Sequence, residues 1–187
     1  YHPELVPGAR NAIEVCLKVQ PEQRVYIVTD RQTQSVGWAL YEAACKVARS
    51  VEIRVIEDHC ERPSNLYPPE IMDGLESCEV CIYCVFPQKG ELVSRQQFVR
   101  RVEALGLRYA HMVGITENIM CQGMRADFNK VDEVSKRLLE KAKVAKEIVV
   151  KSRAGTDMVA TFNPDYTWRK TSGIIEEVWS NLPGGEI

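Results

Sequence analysis

Four short blocks within the first 114 residues have the length and apolar content of β-strands. They lie at residues 25–30, 51–57, 80–86 and 108–114. The block at 51–57 alternates apolar and charged residues, which is typical of a half-exposed edge strand. The block at 80–86 is the most continuously apolar of the four, so it predicts a strand at the centre of a sheet.

The segments between these blocks carry apolar residues at the spacing of an amphipathic helix. The segment at residues 3–19 begins extended and continues as a helix with Ala9, Ile13, Cys16 and Leu17 on one face. Further helices are predicted at residues 35–49, 71–77 and 91–105, and a proline-rich loop at 58–69. Strands and helices that alternate in this way predict an α/β fold, with a doubly wound, mostly parallel sheet and helices on both faces.

The pattern changes after residue 114. A loop or short helix at residues 115–127 leads into a strongly amphipathic helix at 130–147, and two β-like arms follow at 148–151 and 158–162. The arms flank the turn residues 155–157, so they predict a hairpin. This change of sheet type predicts two domains, a Rossmann-like α/β domain at 1–146 and the beginning of a β-rich domain at 147–187.

Composition excludes several classes of protein. The chain has 187 residues, is 45% hydrophobic and 27% charged, and carries a formal net charge of −2. These values describe a globular protein rather than a basic nucleic-acid binder or a disordered acidic chain. No apolar run approaches the roughly 18 to 20 residues of a membrane span, and no signal peptide is visible. The odd number of cysteines, seven, predicts reduced thiols and a cytoplasmic setting.

Three of the cysteines have the spacing of some iron–sulfur ligands. Cys78, Cys81 and Cys84 lie in or beside the third predicted strand. Positions three apart in a strand face opposite sides, so Cys81 is expected to point away from the other two. The pattern therefore favours buried structural thiols over a cluster site.

Polar residues follow two of the predicted strands, at the edge where parallel sheets hold ligands. They are Asp30, Thr116 and Glu117. Helix caps need the same residue types, and no glycine fingerprint of the dinucleotide-binding type follows either strand. Both interpretations stay open, and helix capping is the favoured one.

The remaining candidates have weaker patterns. His2, His59 and His111 are far apart and form no helical pair at metal-ligand spacing, so none is predicted to bind a metal or act as a catalytic base. Arg125 could bind an anion or pair with Asp127. Two tryptophans, Trp168 and Trp179, are expected to pack the C-terminal portion or an interface rather than bind a ligand.

The sharpest local feature is the turn at residues 183–185, which reads Pro-Gly-Gly. Proline fixes φ and glycine accepts positive φ, so the chain reverses tightly there and places Glu186 at a defined point. A carboxylate held in this way can be a metal ligand or a general base. A surface turn before a strand is the alternative that local chemistry leaves open.

Two segments together resemble the thermophilic-type metalloaminopeptidases, the aminopeptidase T and S family. They are residues 154–157, Ala-Gly-Thr-Asp, and residues 181–186, Asn-Leu-Pro-Gly-Gly-Glu. In that family a segment like the second carries the first ligand of a two-metal site, so the resemblance implies that Glu186 is a metal ligand, with zinc or cobalt as the metal. The family's other ligands lie downstream of this position, so the chain corresponds to the family's N-terminal portion only.

The resemblance implies a metal-dependent aminopeptidase-like hydrolase that removes N-terminal residues from peptides when complete. Dihydroxypyridine ring-opening dioxygenases resemble the same family and use a single iron, so ring opening of a small molecule is the alternative enzyme function. A noncatalytic α/β binding module is the third possibility. Because the missing ligands lie outside these residues, the chain alone is not expected to be a competent peptidase. A homodimer, or pairing with a missing C-terminal half that covers an open sheet edge, is the expected partnership.

Overall fold

Seven β-strands and six α-helices lie in the described part of the chain, which is residues 2–163, 165–176 and 179–187 of a computed structural model, without the side chain of Trp179. The strands are β1 (Arg24–Thr29), β2 (Ser50–Val55), β3 (Val80–Cys84), β4 (Arg108–His111), β5 (Glu147–Lys151), β6 (Asp157–Thr161) and β7 (Trp179–Asn181). The helices are α1 (Val6–Arg10), α2 (Gln34–Cys45), α3 (Pro69–Met72), α4 (Leu92–Leu105), α5 (Glu117–Cys121) and α6 (Phe128–Ala142).

Five parallel strands form the main sheet in the order β2-β1-β3-β4-β7. β3 lies at its centre and β2 at its edge, which confirms both sequence predictions. The chain leaves β1 in one direction to form β2 and returns on the other side of β1 to form β3. The fold is therefore α/β with a doubly wound topology, and the strand order reverses between β1 and β3.

Alternate residues of the sheet pack into two cores. On one face Val25 and Ile27 of β1 contact the N-terminal helical segment, α2 and α5. On the other face Tyr26 and Val28 pack against α3, a 3₁₀ segment at Asp73–Ser77, and α4. Four residues of the N-terminal helical segment are fully buried in the first core, Ala9, Ile13, Cys16 and Leu17. Their burial confirms the apolar face that was predicted for this segment.

Helix α6 differs from its predicted range at both ends. The Asp127 carboxylate accepts a hydrogen bond from the Lys130 backbone N–H at 3.2 Å, so Asp127 caps the helix and the first turn begins at Phe128. The helix ends at Ala142, and the residues predicted as its last turn lead into β5. Helix α2 likewise ends at Cys45, four residues before its predicted end at Arg49.

The C-terminal residues divide between two sheets. β5 and β6 form the predicted hairpin as a separate two-stranded antiparallel sheet, with Val149 opposite Val159. β7 instead returns to the main sheet and pairs with β4. The division of the chain at residue 146 stays a prediction. None of the described helices has the length and apolar character that crossing a membrane requires.

Candidate functional site

Glu186 lies where two C-terminal segments meet, residues 171–173 and residues 182–186, which we call the Glu186 corner. The Thr171 backbone N–H donates to the Glu186 carbonyl at 2.9 Å, and the Glu186 N–H donates to the Thr171 carbonyl at 3.1 Å. The Thr171 hydroxyl adds a third hydrogen bond, 3.1 Å from Glu186 Oε2. The Glu186 side chain is solvent-exposed. Its direction is set by the hydrogen bonds to Thr171.

Glycine is required at the centre of the Glu186 corner because the two segments touch backbone to backbone. A Cβ on Gly184 would lie 2.5 Å from the Gly173 nitrogen and 2.6 Å from the Thr171 carbonyl oxygen. Gly173 has a φ of 91°, and a Cβ there would meet the Phe128 ring at 2.6 Å. The chain bends at Leu182 and Pro183, and Gly185 has a φ of 144°. The close contact that fixes this segment comes from residues 171–173, which local sequence does not reveal.

Asp132 connects helix α6 to the Glu186 corner. Its carboxylate accepts hydrogen bonds from the Ser172 hydroxyl at 2.5 Å and from the Lys170 ammonium, and it pairs with Lys136 at 2.6 Å. Burial would raise the pKa of Asp132, but the hydrogen bonds from Lys136, Lys170 and Ser172 outweigh burial and lower the pKa well below its usual range. The carboxylate is ionised at neutral pH and fully engaged, so it anchors the corner rather than offering a ligand.

A cavity of about 720 Å³ lies beside the corner. Thr171, which binds Glu186, forms part of its wall. Trp168 and Ile174 give the cavity apolar surface, whereas Arg169 and Glu176 give it charges of both signs. The volume falls within the range of small-molecule and cofactor sites, which is roughly 300 to 1,000 Å³. Glu186 does not line this space itself and is connected to it through Thr171. By size the space can admit a small peptide or another small molecule.

Trp168 has the packing role predicted for it, since its ring meets the Phe162 ring edge-on at 4.8 Å between centroids. It also lines the cavity, which the sequence did not indicate. The side chain of Trp179 lies outside the described residues.

Asp30 marks the other place where this fold class holds ligands, the crevice between β1 and β3 where the strand order reverses. Its carboxylate accepts hydrogen bonds from the Thr33 N–H at 2.7 Å and the Phe86 N–H at 2.6 Å, and from Arg62 at 2.6 Å. Asp30 is fully buried. The N-cap residue of α2 is Thr33 rather than Asp30. Asp30 therefore organises the crevice, and the favoured capping interpretation is wrong for this residue.

Arg62 fills that crevice. Its side chain is 3% exposed and contacts Asp30, Glu57 and Glu91, and it donates to the Phe86 carbonyl at 2.7 Å. Burial disfavours the charge, but hydrogen bonds to Glu91 and Asp30 raise the pKa of Arg62 far above its usual value. The usual ligand crevice of a doubly wound sheet is thus occupied by the Arg62 guanidinium of the protein itself.

The sequence did not reveal Arg62, which lies in the predicted loop at 58–69. Asp30 and Glu91 are 32 and 29 residues away along the chain, so no local spacing could indicate the cluster. The available signal was indirect: an aspartate directly after a buried strand calls for a buried donor.

The other candidates at the carboxyl ends of strands have structural roles. The Thr116 hydroxyl accepts from the Ile119 N–H at 3.2 Å and caps α5, with Glu117 in the first turn, which confirms the capping interpretation. Arg125 does not pair with Asp127, which pairs with Lys130 instead. The Arg125 guanidinium donates to the Glu4 carbonyl at 2.6 Å and ties the N-terminal segment to the loop before α6.

The three cysteines do not assemble a cluster, although one detail of the prediction is wrong. Cys84 packs into the first core, whereas Cys78 and Cys81 both pack into the second. Cys78 precedes β3, whose alternation begins at Val80, so strand parity does not extend to it. Burial raises the pKa of Cys78 and of Cys84 to about 12, so both stay thiols at neutral pH. All seven cysteines are free, as predicted.

Metal-binding residues do not converge within the described ranges. No group of three or more His, Cys, Asp or Glu side chains in those ranges could hold a metal ion. The Glu186 carboxylate has the hard oxygen donors that divalent metals accept, but the described residues bring no further donor to it. A metal at this position would need ligands from elsewhere.

Neither a protein-family model nor a curated protein sequence matches the chain. Two solved structures share its fold. AmpT from Thermus thermophilus superposes with a TM-score of 0.59 and 13% sequence identity, over 97% of this chain and 59% of AmpT. The 2,5-dihydroxypyridine dioxygenase from Pseudomonas putida KT2440 superposes with a TM-score of 0.56 and 15% identity, over 97% of this chain and 54% of the dioxygenase. At these identities the likeness is one of fold, and this chain spans little more than half the length of either neighbour.

Proposed function

We propose that the chain is the N-terminal part of a metal-dependent hydrolase related to the aminopeptidase T and S family, with Glu186 as one metal ligand. The observation that carries the proposal is the hydrogen bond between the Glu186 carboxylate and Thr171, a residue that also lines a cavity of about 720 Å³.

The cavity has the chemistry that a peptide requires. Trp168 and Ile174 suit an apolar side chain, Glu176 suits the ammonium of a peptide N-terminus, and Arg169 suits a carboxylate or carbonyl. A divalent metal bound there would polarise the scissile carbonyl and lower the pKa of a bound water. The protein's own contribution is to hold Glu186 in place through Thr171 and to anchor that segment through Asp132.

Ring opening by a mononuclear-iron dioxygenase is the second candidate. It is favoured by the fold shared with the 2,5-dihydroxypyridine dioxygenase over 97% of this chain. The two activities require different ligand sets beyond Glu186 and different metals, with iron for the dioxygenase and zinc or cobalt for the peptidase. The cavity accepts either a small peptide or a planar small molecule by size.

The proposal also concerns partners. The chain spans 59% of AmpT and 54% of the dioxygenase, and we propose that the remaining ligands come from a C-terminal portion or a partner chain. The hairpin of β5 and β6 is the surface available for that contact, since Ile148, Val149, Met158 and Val159 are 37%, 52%, 50% and 56% exposed.

The test uses the full-length gene product. It would be loaded with zinc or cobalt and assayed on an aminoacyl p-nitroanilide, and separately loaded with ferrous iron and assayed for oxygen uptake with 2,5-dihydroxypyridine. Glu186→Gln is expected to lower the active reaction by at least about 100-fold, the upper end of what loss of an outer-shell partner costs. Glu133→Gln, an exposed carboxylate of α6, is the matched control and is expected to leave the rate unchanged. Full activity in Glu186→Gln would overturn the ligand assignment, and ring opening without hydrolysis would select the dioxygenase.

A further inference from the structure

A second cavity, of about 310 Å³, lies on the opposite side of β4 from the first core, at the end of the strand. Four residues from the middle of α4 line it, Arg95, Gln96, Val99 and Arg100, together with His111 from the last position of β4. Neither the crevice at Arg62 nor the Glu186 corner shares a lining residue with it. This cavity is therefore separate from the site of the proposed function.

Positive charge in this cavity is not balanced by the neighbouring described residues. The lining contains two arginines and no carboxylate. Within the described ranges Arg95 and Arg100 have no ion-pair partner, whereas Arg101 on the same helix pairs with Glu76. Both guanidinium groups line the same cavity, and arginine binds an oxyanion through two parallel N–H groups, so this pair favours an oxyanion ligand.

His111 supplies a polar floor whose protonation state is defined by its contacts. The Tyr109 hydroxyl lies 2.7 Å from His111 Nδ1. Burial raises the pKa of Tyr109 well above its usual value, so the phenol stays protonated. Burial, with a smaller effect of Arg95, lowers the pKa of His111 to about 4. The imidazole is thus neutral at pH 7.

The same floor has an apolar and aromatic part. The His111 ring is stacked on the Tyr83 ring at 6.2 Å between centroids and 9° between planes. Val99 contributes an aliphatic wall. A ligand with a flat or apolar body would therefore find a matching surface next to the two cations, whereas a bare inorganic anion would leave that surface exposed to water.

We propose that this cavity binds a small carboxylate with an apolar body, with the carboxylate between Arg95 and Arg100 and the body against Val99 and the His111 ring. Binding must then be linked to the protonation of His111. An anion near the ring favours the imidazolium, so it raises the pKa of His111, and protonation of His111 strengthens anion binding by the same factor. Among the residues that the structure describes, the charged or titratable groups that face the ring include Arg95 and Arg100 from α4, Tyr83 from β3 and Tyr109 from its own strand.

The experiment is an NMR titration of His111, one of three histidines in the chain, with and without benzoate as the probe. We expect millimolar benzoate to raise the pKa of His111, and we expect benzamide, the uncharged analogue, to leave it unchanged. Arg95→Gln is expected to raise the pKa of His111 in the free protein and to abolish the effect of benzoate. Arg137→Gln removes an exposed arginine of α6 and is expected to behave like the wild type.

Three results would overturn the proposal. Benzoate could leave His111 unchanged, benzoate could act equally in Arg95→Gln, or inorganic phosphate could act as strongly as benzoate. The last result would show an oxyanion site without a role for the apolar wall. Substitutions on the surface of α4 leave the core side chains Phe98 and Val102 in place, and a native spectrum of each variant confirms that it is folded.

Discussion

The Arg62 guanidinium contacts three carboxylates while its side chain is 3% exposed. Asp30 and Glu91 are as deeply buried, at 0% and 5%. Such a cluster is tolerated only when each charge is paired, because a buried carboxylate without its cation keeps the cost of desolvation and loses the compensation. Arg62 therefore joins the ends of β1 and β2 to the N-terminus of α4.

Replacing Arg62 by methionine is expected to lower the free energy of unfolding by about 3 to 5 kcal/mol at pH 7, the typical loss when one partner of a buried ion pair is removed. Chemical denaturation measures this change. The control is Arg24→Met, which breaks an ion pair with Glu79 whose side chains are 46% and 42% exposed. Solvent screens that pair, so its loss is expected to be much smaller. Equal losses in the two variants would contradict the role assigned to Arg62.

The carboxylates around Arg62 also make the stability of the fold depend on pH. Burial would raise the pKa of Glu91, but hydrogen bonds from Arg62 and the Gln88 N–H outweigh it and lower the pKa below its usual value. A carboxylate with a depressed pKa stabilises the fold above its unfolded pKa of about 4.3, and this contribution disappears as the pH falls through the folded pKa. The difference between wild type and Arg62→Met is therefore expected to shrink below about pH 4.

Individual residues were predictable only where the cause is local. Thr116 caps α5 as predicted, because a cap depends on neighbours in sequence. Arg62 and Arg125 depend on partners that are distant along the chain, at Asp30 and Glu4. Their roles emerge only when the sheet brings those segments together.

At the scale of elements, the Glu186 corner depends on close approach of two segments through Gly184 and Gly173. A Cβ at Gly184 would lie 2.5 Å from the Gly173 nitrogen. Gly184→Ala is expected to lower the free energy of unfolding by about 1 to 3 kcal/mol, the usual cost of overpacking, and to displace Glu186 from Thr171. Denaturation and the activity of the full-length gene product measure the two effects.

Gly123→Ala is the control for that substitution. A Cβ there would have Pro183 Cγ as its nearest neighbour, at 3.4 Å, which is an ordinary contact. A smaller loss of stability and no loss of activity are expected. If Gly184→Ala were as stable and as active as Gly123→Ala, the close contact would not be what positions Glu186.

The elements themselves were largely predictable. Strands β1 to β4 and helix α4 follow from period and length, because each buries a regular apolar pattern. The hairpin follows from two short β-like segments on either side of turn residues, although both of its strands are exposed. β7 could not be predicted, since it has only three residues, Trp179–Asn181, and forms by pairing with β4. That pairing returns the chain to the main sheet and brings residues 182–186 to the edge of the α/β domain.

At the scale of the whole molecule, the hairpin of β5 and β6 is an element whose apolar side chains are exposed to solvent rather than buried. Both strands expose apolar side chains, and a two-stranded sheet alone is only marginally stable. Val149 and Val159 lie opposite one another at 52% and 56% exposure. We propose that this apolar surface contacts another domain or chain, as the proposed two-part enzyme would require.

The double substitution Val149→Thr with Val159→Thr tests that contact. Threonine keeps the β-branched shape, so the melting temperature of the 187-residue chain is expected to change little. In the full-length gene product the hydroxyls would be buried against the remaining portion, and the melting temperature is expected to fall. Val144→Thr, at a position that is 81% exposed outside the hairpin, should change neither. An unchanged full-length protein would show that the hairpin is not covered.

The central claim is that Glu186 binds a metal, and metal stoichiometry of the full-length gene product tests it most directly. The protein would be purified, stripped with a chelator, reloaded with zinc, cobalt or iron, and analysed for bound metal at equilibrium. We predict stoichiometric binding in the wild type and in Glu133→Gln, and a loss of at least about tenfold in affinity in Glu186→Gln. Equal affinity in all three proteins would contradict the account.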